Sequence, residues 1–154
     1  MKRLTAALCM AMAIAGATTT FVRADERGKE VEAFMAGYLT LWNAHDARAI
    51  TERIYRFDGT NTMGTQAGLQ AEFDRLKAQG YDHSENISIK ACMITATQAV
   101  VEFRFSRLKA DGTPLPPKER ASLYMVRKFP DGWRINLLLG MNPTARLNCS
   151  SYTD

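Results

Sequence analysis

From Glu30 to Ala44 the apolar residues Val31, Phe34, Met35, Tyr38, Leu39 and Trp42 recur three and four positions apart, the stripe of an amphipathic helix. The stripe breaks at Asn43-Ala44-His45-Asp46. Asp46 stands where its carboxylate can accept from the free N–H groups of a second helix, which carries Ile50 and Ile54 on one face. Residues 56–65 are rich in turn formers and predict an irregular connection. Thr65 then caps a third helix through Leu69, Phe73 and Leu76, stopped at Gly80. Past Gly80 the period falls from 3.6 to 2. Ile87, Ile89, Ala91 and Met93 alternate with polar residues, as do Val101, Phe103 and Phe105, so both runs predict half-buried strands. Two further runs, RASLYMVRKF and WRINLLLGM, are joined at Pro130-Asp131-Gly132 and predict a second hairpin. Helices first and strands after, each strand near its neighbour, describe an α+β layer with an antiparallel meander.

The chain has 154 residues, and its first 24 form a different pattern. Lys2 and Arg3 precede an apolar run from Leu4 to Ala15, the layout of a signal peptide, with cleavage after Ala24 or after Ala17. The run is shorter than the ~20 residues of a spanning helix. The expectation is therefore export to the periplasm or beyond, and one domain over residues 25–154. The formal charge of +4 falls to +1 once Lys2, Arg3 and Arg23 are set aside. A near-neutral chain without a basic cluster has no electrostatic footprint for nucleic acid or for an anionic membrane surface. Cys92 and Cys149 are the cysteines left, in a compartment where a disulfide persists; two separate buried thiols are the alternative. His45 and His83 lie far from both, so no metal-ligand spacing is present.

The helix order, the joint LWNAHDARAI and the last hairpin VRKFPDGWRI together resemble the nuclear transport factor 2-like, or SnoaL-like, superfamily. That resemblance covers nearly all of residues 25–154. It implies a cone-shaped, cystatin-like α+β fold, three N-terminal helices packed on a curved antiparallel sheet. It also implies a pocket between helices and sheet and a homodimer through the sheet's outer face. It implies no single activity, because such folds host isomerases, dehydratases and binding-only members.

Matching the joint to the ketosteroid isomerases of this superfamily puts Tyr38 on the catalytic tyrosine and Thr62 where the base should be. Matching the last hairpin puts Met125 at the second oxyanion donor. Neither Thr62 nor Met125 can do that chemistry, and Asp58 is the substitute acid near the mouth. The same match sets Asn136 and Leu138 on the pocket face of the last strand, with Leu123 and Met125 opposite. Tyr38 and Trp42 share a helix face and either wall a cavity or fill core. The candidate ligand-binding set is thus Tyr38, Trp42, Asp58, Leu123, Met125, Asn136 and Leu138, with no cofactor or metal. The expected function is binding of a small organic molecule in a mainly apolar pocket. The alternatives are a cofactor-independent isomerase or dehydratase using Tyr38 and Asp58, and a protein-interaction module.

Overall fold

The computed structural model describes residues 15–57 and 61–152. Residues 1–14 of the expected leader, and Asp58 of the candidate site, lie outside the described residues. Helix α1 (Ala15–Asn43) starts well before the stripe that predicted it and runs straight through both expected cleavage sites. Among the described residues no helix is long and apolar enough to cross a membrane. Helices α2 (Ala47–Arg53) and α3 (Gln66–Ala78) follow. Strands β1 (His83–Thr95), β2 (Gln98–Leu108), β3 (Arg120–Phe129) and β4 (Gly132–Met141) then form one open antiparallel sheet in the order β1-β2-β3-β4. The architecture is the α+β one expected from the change of period.

The joint between α1 and α2 is a double cap. His45 takes φ 52°, while its N–H donates to Trp42 O and that of Asp46 to Leu41 O, the left-handed helix end usually made by glycine. Asp46 then accepts from Ala49 N at 2.8 Å and starts α2. Asn43 fixes this corner to the sheet, donating to Ser84 O and accepting from Ser84 N, both at 2.9 Å. Past α2, Arg56 N donates to Ile135 O and Ile135 N to Ile54 O, so the chain shields the β4 edge with a short parallel bridge. The connection after it contains a 3₁₀ turn at Thr62–Gly64, and Thr65 caps α3 as expected.

The core lies between helices and sheet. Val31, Met35, Tyr38 and Trp42 of α1, with Ile50 of α2 and Leu69, Phe73 and Leu76 of α3, meet Val101, Phe103, Phe105, Tyr124, Val126 and Ile135 of the strands. A bulge opposite Met125 and Val126 leaves Asn136 unpaired. It shifts the alternation of β4, so that Trp133 and Ile135 join the core before it and Leu138 after it.

The sheet's other face is covered along β1 and β2 by the C-terminal segment. Cys92 and Cys149 form a disulfide with 5.1 Å between Cα atoms, and Leu147 packs with Cys92 and Val100. Closing a 57-residue separation is worth about 4 kcal/mol in the chain-entropy account. Beneath the segment, Glu102 accepts from Leu147 N at 2.6 Å, while Lys90 donates to Leu147 O at 2.8 Å. Arg104 binds Glu119 and the carbonyls of Pro143 and Ala145.

Candidate functional site

Between α1, α3 and the inner face of β2–β4 the side chains leave a recess of about 110 Å³. Tyr38 and Trp42 wall it from α1, Phe103 and Phe105 from β2, Tyr124 from β3 and Leu138 from β4. The period-two alternation of β2 and β3 brings these rings to one side, and the one-turn spacing on α1 sets Tyr38 and Trp42 edge to face at 5.8 Å. Tyr38 also meets Tyr124 edge to face at 5.9 Å.

Two of the tyrosine hydroxyls pair in this apolar setting. Tyr38 Oη lies 2.8 Å from Tyr55 Oη, and the Tyr124 ring stands edge to face beside Tyr38. Burial, then the neighbouring phenols, hold Tyr38 far above its ordinary range. Burial raises Tyr55 as well, and it pushes Tyr124 up from near 10 to about 12. All three are neutral donors and acceptors at physiological pH. The recess has polar lining too. Ser84, Ser122, Glu72 and Arg107 complete its wall. Glu72 is held by Arg75 in a two-pronged pair at 2.7 and 2.5 Å. Arg107 follows Phe103 and Phe105 on the same strand face, and burial lowers its pKa.

Of the residues singled out from the sequence, Tyr38, Trp42 and Leu138 are brought together here. Leu123 and Met125 are not. They sit on the opposite face of β3, against the cluster of Cys92, Val100 and Leu147. The expected register is off by one residue, which sends every side chain of a strand to the other face. Tyr124 therefore occupies the inner position that the isomerase match gave to Met125. Asn136 is the unpaired residue of the β4 bulge, with a buried Oδ1 that has no hydrogen-bond partner, and it does not line the recess. His45 is half buried, with its ring 5.1 Å from Phe73 and 5.7 Å from Tyr81. The wall residues Phe103, Phe105 and Arg107 escaped the sequence reading, although their spacing of two on a strand places them together. Glu72 escaped it too, one residue from a core position of α3. Among the described residues, no three His, Cys, Asp or Glu side chains group as metal ligands.

Several solved structures share this fold. One is an NTF2-like protein with a cystatin-like fold from Novosphingobium aromaticivorans, 21% identical, covering 83% of this chain and 89% of its own, with a TM-score of 0.58. An NTF-2 like protein of unknown function from Shewanella oneidensis MR-1 is 15% identical, covers 71% of this chain and 94% of its own, and gives 0.52. A domain of unknown function with a cystatin-like fold from Nostoc punctiforme is 18% identical, covers 80% and 79%, and also gives 0.52. At these identities the likeness is one of fold. No curated protein matches the sequence. Residues 60–142, more than half of the chain, match the family described as NTF2-like protein (DUF6841), and the chain belongs to that NTF2-like family.

Proposed function

We propose that the chain is an exported domain that binds a small organic molecule in the aromatic recess and works as a homodimer. The observation that carries the binding reading is the recess itself, a hollow between helices and sheet that ring faces surround but no side chain fills. Native interiors seldom leave such space without use. Its rings give apolar area, and the neutral Tyr38 and Tyr124 hydroxyls supply hydrogen-bonding groups, the usual make-up of a small-molecule site. Binding is favoured over isomerase or dehydratase chemistry because Glu72, the carboxylate among the lining residues, is already engaged by Arg75. Export is supported by the leader-like start and the disulfide. Dimerisation is supported by an apolar strip on the outer face, where Leu137 (37% exposed) and Leu139 (48%) lie opposite Met125 and Leu123.

Ligand-observed NMR with phenol, benzyl alcohol and 1-hexanol tests the binding reading. The expected result is saturation transfer to at least one probe from the parent protein and its reduction in Leu138→Phe, which narrows the hollow. Transfer that is equal in both proteins, or absent from the parent, overturns it.

A further inference from the structure

The polar end of the recess holds a cation with nothing to bind. Arg107 lines the cavity, it is in no ion pair among the described residues, and its Nε is buried without a hydrogen-bond partner. Its guanidinium lies 5.8 Å from the Tyr81 ring centroid and 5.9 Å from that of Phe105, stacking distances that hold the group in place without satisfying its N–H donors. Arg120, on the inner face of β3 opposite Phe105, repeats the pattern: one Nη donates to Pro116 O at 2.6 Å and the buried Nε has no partner. Glu72 is the nearby counter-charge and acts on Arg107 through space, but it makes no ion pair with it and its two oxygens accept from Arg75. The wall therefore carries positive charge and an unused donor at Arg107, while Tyr38, Trp42, Phe103, Phe105 and Tyr124 make the rest of it aromatic. Leaving a guanidinium partly buried and unpaired costs stability, so the arrangement calls for an anion.

We infer that the guest is a small monocarboxylate, seated with its carboxylate on Arg107 and its apolar part among Tyr38, Trp42, Phe103 and Tyr124. This rests on the binding reading above and narrows it. The apolar part is about one ring or a six-carbon chain, since a cavity of about 150 Å³ takes benzene and this one, at about 110 Å³, is not fully enclosed. Guanidinium suits the role because its fork matches both oxygens of a carboxylate.

The test is titration calorimetry at low salt with benzoate and hexanoate against their neutral counterparts, benzyl alcohol and 1-hexanol. The carboxylates should bind about tenfold or more tighter. In Arg107→Met the preference for carboxylate over the matching alcohol should disappear, and Arg107→Lys should keep part of it. If the alcohols bind the parent protein as tightly as the carboxylates, or if Arg107→Met retains the preference, the carboxylate assignment is wrong and the pocket stands. If neither series binds the parent protein, both are wrong.

Discussion

On β2 the outward residues Glu102, Arg104 and Ser106 alternate one by one with the inward Phe103, Phe105 and Arg107, yet their polar groups end in opposite states. Outside, the chain covers its own charges and satisfies them: Glu102 holds Leu147 N, Ser106 donates to Lys118 O, and Arg104 is ringed by Glu119, Pro143 O and Ala145 O. Inside, Arg107 is half buried and the donor nearest its stem has no partner. The two arginines stand three residues apart. The difference separates a cation satisfied by its own chain from one without an ion pair among the described residues, and the proposed carboxylate site rests on it.

The sharpest way to break the comparison is to remove each arginine in turn and follow urea unfolding. Arg104→Ala strands Glu102, which is 3% exposed, together with Glu119 and two carbonyls. Taking one partner out of such a buried pair should cost about 3–5 kcal/mol. Arg107→Met removes a charge without an ion pair and should cost less than about 1 kcal/mol, or stabilise. Equal losses would mean that the inner arginine is structural after all.

A second difference between the faces is their response to alkali. The inner face carries Tyr38, Tyr55 and Tyr124 as buried phenols, whose folded-state pKa values burial raises. A raised folded pKa means that the unfolded chain gives up its proton first. Stability is therefore complete below pH 10 and falls as pH climbs towards 12, where Tyr124 itself titrates. For Tyr124 alone the loss over that window amounts to roughly 3 kcal/mol. Phenolate absorbance should rise late and together with unfolding, and Tyr124→Phe should flatten the stability profile between those pH values. Ionisation near pH 10 in a protein that stays folded would show the inner face open to solvent.

These same two faces mark how far the sequence could be read. The stripe of α1 was legible because helical spacing alone fixes which side chains share a face, and it delivered Tyr38 and Trp42 to the recess. Thr65 and Asp46 were legible as caps because a short acceptor before a periodic run has few other uses. The pairing of Cys92 with Cys149 was legible as the better of two alternatives, given the expectation of export. Strand faces were harder. Met125 and Leu123 were placed inside by a match one residue out of register, and a period of two gives no partial credit. The bulge at Asn136 depends on which residues of β3 it faces, which no local pattern records. His45 holds a position that glycine usually takes, so the left-handed helix end was hidden by its identity. Arg107 went unread, although it ends an alternating apolar run, and its lack of an ion pair among the described residues follows from three-dimensional placement.

The smallest expected effect gives the finest comparison, because it makes one chemical change on both faces. Leu138 looks into the recess from β4 and Leu147, 7% exposed, is pressed onto Cys92 and Val100 by a disulfide two residues away. Leu138→Phe adds volume where about 110 Å³ is vacant, so its change in stability should lie within about 0.5 kcal/mol of zero. Leu147→Phe adds the same volume where contacts are already close, and it should cost about 1–3 kcal/mol through displaced neighbours. Thermal unfolding of the two variants beside the parent protein measures the difference directly. A Leu138→Phe protein that loses as much as Leu147→Phe would mean that the inner wall is packed as tightly as the covered outer face and that no hollow exists for a guest.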